Sequence, residues 1–551
     1  MRKGIIYLLM AGLSLSGCHS STKGEPAKPK LTILIGLDQF RADYLVRYND
    51  AFTGGFRKIL DQGFWYQNGI VNHAPTLSLP GHTTLSTGAN PKTHGITSNA
   101  WINPTRPPDS KGMIRGEFPH VDSKVKIVGD TAATAFSPHK IKVNGLADWF
   151  QQSRGHAKTV ALSVSPLAVL YGGKYQQADH DRHVYWLGST GRFISSTYYR
   201  KEYPKWVNHF NETLEENYIQ HHVWENTVPY EFQALARVDS AVYEFDGIHT
   251  SFPHPASDFI ADSTTRSYQR WFGRFSPYQN NALFDLAKEA ITQLQLGQRE
   301  TTDLLNIAVK LTDRIGHDFG PKSVEMMDII LRLDVLLEDF IAFLDKNIGK
   351  ENYLLAISSD HGGPYISEYE AEQGREAIRV SSQDIEAALD TIAVLVDQYE
   401  DSPQHLSRLI ANRLEEFAFI GKAMTQQDLE EVNTNDHYIQ SFQNAYRPEQ
   451  VTTYPLWTVN NQYGNLISAK HPAYHGVIVE LPYQANIWSA ASTHGGAHDY
   501  DQEVPILFYG NQIKPGQSKR KVFTRDIAPT LSFLSGVDFP TTVDGKVLDF
   551  E

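Results

Sequence analysis

The stretch YLLAISSDHGG, residues 353–363, is a run of apolar residues that stops at Asp360 and His361. Three other runs have the same form: LTILIGLD ends at Asp38, TVALSVS at Ser165 and NIAVKLTD at Asp313. Strands that are apolar throughout, without alternation, belong to parallel sheets that are buried on both faces. The four runs therefore predict a mostly parallel central sheet.

Helical patterns lie between the apolar runs. Residues 323–346 predict a helix with an N-terminal cap at Ser323 and one buried face, formed by Leu333, Leu336, Leu337, Phe340 and Leu344. Strands that alternate with helices predict a doubly wound α/β domain, in which ligands bind beyond the carboxyl ends of the strands. Two stretches of weaker periodicity, about 170–300 and 364–490, are expected to be insertions that partly cap the site.

The amino terminus, MRKGIIYLLMAGLSLSGCHS, has a basic start and a short apolar run, which is the pattern of a secretory signal. The apolar run is too short to span a bilayer. Cys18, the single cysteine of the chain, follows Leu-Ser-Gly and resembles the lipidated residue of bacterial lipoproteins. This resemblance implies a signal peptide at 1–17, a lipidated tether at 18–30 and a main domain at 31–551, anchored to a membrane in the periplasm or at the cell surface.

Composition limits the number of domains and the kinds of partner that the chain can have. The 551 residues, 41% hydrophobic and 21% charged, fit one large domain with insertions or two domains. The formal net charge is −13, and it becomes −15 when Arg2 and Lys3 leave with the signal peptide. Because an acidic protein of this size is a poor generic nucleic-acid binder, no nucleic-acid partner is expected. Composition leaves the oligomeric state open.

Acidic and histidine side chains follow the predicted strands. They are Asp38, Asp313 with His317 four residues later, the pair Asp360 and His361, and His494 in a glycine-rich turn. A single acid at a strand end is ordinarily a turn former or a helix cap. Several acids at one sheet edge repel one another, a cost that bound cations remove. A mixture of carboxylate and imidazole favours Zn²⁺ over Mn²⁺ or Mg²⁺.

Ser78 lies in HAPTLSLPGHTTLSTG, residues 73–88, two residues before a Pro-Gly-His turn at the start of a predicted helix. A serine at such a position is commonly a helix cap. It can also be a nucleophile where a metal ion promotes its ionisation.

Ordered motifs along the chain resemble those of the alkaline phosphatase and nucleotide pyrophosphatase/phosphodiesterase superfamily. The similarity is to the bacterial phosphate-irrepressible type of alkaline phosphatase. The motifs are SLPGHTTLSTGANPKTHGITSNAW, TGRFISSTYY, PKWVNHFN, TDRIGHDFGPKSVE, SSDHGG, THGG and RDIAPTLSFLSGVDFP.

The resemblance implies two Zn²⁺ ions and a phosphoserine mechanism acting on small phosphorylated substrates. The implied ligands are Asp313, His317 and His494 for one ion, and Asp38, Asp360 and His361 for the other, which also contacts Ser78. Ser78 matches the nucleophile, and Asn99 matches the asparagine that hydrogen-bonds a non-bridging phosphate oxygen. His498 falls outside both ligand sets.

Two features depart from the family pattern, the nucleophile and a basic pair. Ser78 stands where close relatives commonly have threonine. Ser165 and Leu167 stand where the monoesterases have a Lys-x-Arg pair, and Lys174, His180 and Arg182 are candidate replacements for its charge. The missing pair favours diesters, whereas the likeness along the whole chain is to monoesterases. A phosphate monoesterase is predicted on that likeness, with a phosphodiesterase or nucleotide pyrophosphatase as the alternative.

Two further alternatives are weaker. A sulfatase shares the fold, but its maturation motif continues with arginine, whereas Gly81 and His82 follow Pro80 here. A binding lipoprotein without catalysis would lack a ligand or the nucleophile, and none is missing from the sequence.

Overall fold

The computed structural model describes residues 27–101, 118–153, 156–174, 181–260, 262–398, 403–420, 422–431, 434–447, 450, 456–460, 465–468, 478–480, 485–487 and 491–551. The predicted signal peptide, Cys18 and most of the predicted tether lie outside these residues. Within the described part, no helix has the length and apolar character needed to cross a membrane.

A nine-stranded sheet forms the centre of the fold. Its strands are β1 (Leu31–Leu37), β2 (Phe64–Ile70), β3 (Thr159–Ser163), β4 (Arg182–Leu187), β5 (Phe193–Ile194), β6 (Asp303–Val309), β7 (Tyr353–Ser359), β8 (Glu503–Gly510) and β9 (Gly516–Phe523). Their spatial order is β9-β2-β8-β7-β1-β6-β3-β4-β5. The strands β8 and β5 run antiparallel to their neighbours, and the other pairs around β1 are parallel. The predicted mostly parallel sheet is confirmed.

The register of the three central strands brings their carboxyl ends level. Leu37 of β1 pairs with Val309 of β6 and with Ser359 of β7. The residues that follow these three, namely Asp38, Lys310 and Asp360, therefore emerge side by side at one edge of the sheet.

Helices cover both faces of the sheet, as a doubly wound fold requires. They are α1 (Gly55–Gln62), α2 (Ser78–Thr87), α3 (Leu146–Gln152), α4 (Tyr278–Leu294), α5 (Leu311–Phe319), α6 (Val324–Asn347) and α7 (Ile527–Leu534). In β1, Ile33 and Ile35 join the core beneath α4 and α6, whereas Leu34 joins the core beneath α3 and α7. Both faces of β1 are therefore buried, which explains its continuous apolar sequence.

The predicted features of α6 are present. The Ser323 hydroxyl oxygen accepts a hydrogen bond of 3.0 Å from the Met326 N–H. The predicted face is buried at Leu333, Leu337, Phe340 and Leu344, and Leu336 is partly buried.

The first expected insertion, 170–300, belongs partly to the central domain, because it contains the sheet strands β4 and β5 and the helix α4. Outside the sheet it forms the helices Lys205–Leu214 and Thr265–Arg274. The second, 364–490, contains the helices Ser382–Gln398, Pro403–Leu414 and His437–Gln443 and a separate four-stranded sheet of Lys422–Met424, Leu456–Asn460, Asn465–Ser468 and Ile478–Glu480. It contacts the loop before α2, where the Ala74 N–H donates to the Ser441 carbonyl.

Candidate active site

The six predicted metal ligands lie in two groups at the carboxyl edge of the sheet. Each group offers three ligand atoms within 4.8 Å of one another; the first triad is Asp313, His317 and His494, and the second is Asp38, Asp360 and His361. The structure thus brings together side chains that are up to 456 residues apart in the sequence.

The three histidines are oriented in the same way. Their Nδ1 atoms donate to backbone carbonyls: His317 to Ser492 (2.8 Å), His494 to Thr76 (2.8 Å) and His361 to Gly362 (2.9 Å). Because a carbonyl only accepts, the proton lies on Nδ1, and in the neutral ring the lone pair lies on Nε2. This is the arrangement of metal-binding histidines, whose other nitrogen is held by a second group.

The second triad lies in a fully buried position. Burial and the neighbouring Asp38 carboxylate raise the pKa of Asp360 to about 8. Asp360 Oδ2 and His361 Nε2 are buried 3.0 Å apart, and neither atom forms a hydrogen bond within the described part of the chain. Buried polar atoms are normally satisfied, so these two fit a bound cation.

Two ligands of the first triad come from a single helix. Asp313 and His317 are one turn apart on α5, and Asp313 Oδ1 lies 3.3 Å from His317 Nε2 and 3.2 Å from His494 Nε2. Burial lowers the pKa of His317, but the Asp313 carboxylate outweighs it and raises the pKa to about 9. Burial and the nearby His361 lower the pKa of His494 to about 4.

The two triads adjoin. The rings of His361 and His494 stack with centroids 3.7 Å apart. Two cations held by these triads would be neighbours, as a two-metal phosphoester site requires.

Ser78 is the first residue of α2, and its hydroxyl donates to Asp38 Oδ1 at 3.3 Å. The glycine of the Pro-Gly-His turn permits this approach, because a Cβ at Gly81 would overlap the Asp360 carbonyl oxygen. The helix can therefore press its amino terminus against the strand ends that carry both carboxylates.

Asn99 lies beside the amino terminus of α2. Its Oδ1 accepts a hydrogen bond of 2.9 Å from the Leu79 N–H. With its carbonyl engaged, the side-chain amide nitrogen is left to donate, which suits an oxygen of a phosphoryl group.

Lys310 is a site residue that the sequence reasoning missed. Its Nζ lies 2.8 Å from Asp38 Oδ2, 2.6 Å from Asp313 Oδ2 and 3.1 Å from Ser78 Oγ. It therefore joins a carboxylate of each triad to the predicted nucleophile. The signal was present in NIAVKLTD, where a lysine directly follows the apolar residues of the strand.

His82 and Asp501 were also missed, and both support the triads. His82 Nε2 lies 3.2 Å from Asp38 Oδ2 and 3.5 Å from Asp360 Oδ2, while its Nδ1 lies 2.6 Å from the Tyr171 hydroxyl.

Asp501 accepts hydrogen bonds from the N–H groups of Gly495 (3.1 Å) and Gly496 (2.6 Å), and these bonds hold the loop that carries His494. No sequence pattern around His82 or Asp501 predicts these contacts, because each partner is distant in the sequence or belongs to a loop.

The candidate replacements for the Lys-x-Arg pair do not reach the site. Arg182 begins β4 and, through the registers of β3 and β6, lies level with Thr32. Asp38 is six residues further along the chain in the direction of β1, about 20 Å away at strand spacing.

Lys174 donates from its Nζ to the carbonyl oxygens of Ile141 and Lys142, and His180 lies outside the described residues. The hypothesis that Lys174 or Arg182 supplies the missing charge was wrong.

Three other positions are also placed by the structure. Ser165 lines a cleft beside His317. Leu167 is buried in the core beneath α3 and α7. His498 is buried outside both triads, with its Nδ1 2.7 Å from the Tyr438 hydroxyl.

Known proteins are similar to this chain in sequence and in architecture. The profile of the type I phosphodiesterase / nucleotide pyrophosphatase family matches residues 32–455. The chain belongs to this family. It is 30% identical to alkaline phosphatase PhoV of Synechococcus elongatus over 98% of this chain and 99% of that protein. It is 28% identical to alkaline phosphatase PafA of Elizabethkingia meningoseptica over 98% and 97% of the two chains.

The structural comparison agrees. The crystal structure of a PafA variant matches with a TM-score of 0.80 at 26% identity, over 95% of this chain and 98% of that chain. The resemblance inferred from the motifs and the α/β fold are confirmed, and the chain is a phosphoric ester hydrolase. The family match does not favour the sulfatase alternative.

Proposed function

We propose that this protein is a phosphate monoesterase of the alkaline phosphatase type, which uses two Zn²⁺ ions and a phosphoserine intermediate. The observation that carries the proposal is the position of Ser78. Its hydroxyl oxygen lies 3.3 Å from Asp38 of the second triad and 3.1 Å from the Lys310 ammonium, which also contacts Asp313 of the first.

The two triads fit the proposed ions by donor chemistry. Each combines imidazole nitrogen with carboxylate oxygen, the ligand mixture that suits Zn²⁺. When bound, the ions would favour ionisation of a hydroxyl or water and neutralise charge on the transferred phosphoryl group.

The protein's own groups then perform the transfer. The Ser78 oxygen attacks phosphorus, a Ser–O–P bond forms and the bond from phosphorus to the leaving oxygen breaks. The side-chain amide nitrogen of Asn99 donates to a non-bridging oxygen of the phosphoryl group. Water then hydrolyses the phosphoserine and regenerates Ser78.

The choice of monoester over diester rests on Lys310. A monoester dianion has one more charged oxygen than a diester, and enzymes that favour it place a cation there. Lys310 supplies a positive charge beside Ser78 in a chain that has Ser165 and Leu167 at the expected Lys-x-Arg positions. The two relatives named above are called alkaline phosphatases, which points in the same direction.

Phosphodiesterase activity is the second candidate, favoured by the absence of a basic residue at Ser165 and Leu167. Initial rates of the purified, zinc-loaded protein on an aryl phosphate monoester and the matched diester separate the two. The proposal expects a higher kcat/KM on the monoester. A higher value on the diester would reverse the assignment.

For the location, we propose a lipoprotein anchored through Cys18 in the bacterial envelope. The support is the Leu-Ser-Gly-Cys sequence after a short apolar run. Membrane fractions should retain the wild type, and Cys18→Ala should release the protein or leave the signal uncleaved. Normal retention and processing of Cys18→Ala would contradict the anchor.

A further inference from the structure

A cleft of about 590 Å³ opens beside the first triad, at His317. One wall is the loop after β3 and the end of β4, with Val164, Ser165, Pro166 and Leu187. The opposite wall is the helix Thr265–Arg274 together with part of α5. Its size is typical of sites for small organic ligands.

Three guanidinium groups line this cleft. Arg270 and Arg274 are one turn apart on the helix Thr265–Arg274, and both are exposed. Arg314 follows the ligand Asp313 on α5; it donates to the Gly273 carbonyl and lies 3.4 Å from Gln279 Oε1. We call the cleft with these three residues the arginine cleft.

The charges of the arginine cleft are unbalanced. Asp318 is the acid on its wall, and its Oδ2 lies 3.7 Å from the Arg274 guanidinium. Within the described part of the chain, Arg270 and Arg314 form no ion pair. The lining of the cleft therefore has three guanidinium groups and one carboxylate, while Asp262 and Asp313 interact electrostatically with Arg270 and Arg314 from outside the lining. In a protein with net charge −13, this concentration of arginine marks a local site for an anion.

The position of the arginine cleft assigns it to the leaving group. Ser78 contacts Asp38 of the second triad, whereas the arginine cleft begins at His317 of the first. In an in-line displacement the leaving oxygen departs on the side opposite the nucleophile. A leaving group that departs past the first triad enters the arginine cleft.

We infer that the arginine cleft binds the leaving group of the substrate and selects leaving groups that carry a second anionic group, either carboxylate or phosphate. Guanidinium groups bind both oxyanions in a planar, two-pronged geometry. The apolar side chains of Val164, Pro166 and Leu187 contact the carbon skeleton that joins the two anionic ends. This inference rests on the proposed phosphomonoesterase activity.

The test uses three aryl esters with similar leaving oxygens: phenyl phosphate, 3-carboxyphenyl phosphate and benzene-1,3-diyl bisphosphate. For the wild type, kcat/KM should be about tenfold higher on the two anionic esters than on phenyl phosphate, the effect of about one charge-assisted hydrogen bond. The double variant Arg270→Gln/Arg274→Gln should reduce this ratio to about one. Comparison of the carboxylate and phosphate esters identifies which anion is preferred.

The matched control is Arg266→Gln, which removes an exposed arginine from the same helix outside the cleft. It should keep the wild-type ratio. A wild-type ratio of one, or an unchanged ratio in the double variant, would overturn the inference.

A binding measurement separates this inference from the proposed function. Calorimetry with the product 3-hydroxybenzoate should detect binding to the wild-type protein, and the double variant should bind it several-fold more weakly. If no phosphate ester is hydrolysed but this difference in binding is present, the proposed function fails and the anion site stands. If the esters are hydrolysed but the two proteins bind the product equally, the anion site fails.

Discussion

The Nζ of Lys310 lies 3.1 Å from the hydroxyl oxygen of Ser78. The contact follows from register, since Val309 and Leu37 pair across the sheet and the next residues, Lys310 and Asp38, emerge together beside α2. The predicted nucleophile therefore contacts a positive charge that belongs to the chain itself.

Replacing Lys310 with Met should lower kcat/KM on an aryl monoester by about a hundredfold, the scale of losing one charge-stabilising group. The loss on the matched diester should be much smaller, because a diester has one less charged oxygen. Lys310→Arg should restore part of the monoester rate. Since Lys310 also contacts Asp38 and Asp313, the metal content of each variant must be measured. Equal losses on both esters at full metal content would contradict this role.

Ser78→Ala should abolish the phosphoenzyme and lower kcat by at least about a thousandfold, because the attacking oxygen is absent. The protein should still fold, with the free energy of unfolding lowered by about 1–3 kcal/mol, since the hydroxyl contacts to the Asp38 carboxylate and the Lys310 ammonium are lost. Acid quenching after incubation with a ³²P-labelled monoester measures the intermediate. Ser78→Thr is the control and should retain it, because threonine also has the hydroxyl. A labelled Ser78→Ala protein would show that another residue attacks.

Chelation should abolish turnover, and restored Zn²⁺ should bring it back at about two ions per chain. Metal binding should also depend on pH. In the metal-free protein, Asp360 with a pKa of about 8 and His317 with a pKa of about 9 hold protons at pH 7, which an incoming cation must displace.

Proton release on metal binding should therefore be substantial at pH 7 and decrease as the pH rises through 8 and 9, while the apparent affinity increases. Calorimetry in buffers of different ionisation enthalpy measures the released protons. Affinity that is independent of pH between 6.5 and 9.5 would contradict this linkage.

The sequence predicted those site residues that lie in recognisable local patterns. Asp38 and Asp360 each directly follow an apolar strand, and parallel strands end at one edge, so their meeting could be anticipated. The strand expected to end at Asp313 ends earlier, at Val309, and Asp313 lies in the first turn of α5, which keeps it at the same edge. Lys310 occupies an equivalent strand end, but a lysine between an apolar run and a helix is also an ordinary surface residue. Arg182 was misplaced because nearness to Ser165 in sequence does not reveal that it begins a strand and lies at the opposite edge.

The supporting contacts could not be predicted at all. Tyr171 meets His82, and Thr76 meets His494, only after strands far apart in the chain have paired. The arginine cleft has the same origin, since Arg270 and Arg314 belong to different segments that meet in the folded protein.

Asp334 provides a test of the fold away from the site. It lies on α6, buried, and its carboxylate accepts from the N–H groups of Thr53 (2.9 Å), Gly54 (2.7 Å) and Phe56 (2.6 Å). These donors belong to the start of α1, which has no side-chain cap of its own. A carboxylate there satisfies first-turn N–H groups and interacts favourably with the helix dipole.

Asp334→Ala should therefore lower the free energy of unfolding by about 2–4 kcal/mol, because three buried donors lose their acceptor. Asp334→Asn should cost less, since one amide oxygen can still accept. Glu338→Ala on the same helix is the control; its side chain is exposed and its removal should change stability by less than about 0.5 kcal/mol. Urea unfolding of the metal-free proteins gives the comparison. An Asp334→Ala protein as stable as Glu338→Ala would mean that water reaches the donors of α1 and that α6 does not cap this helix.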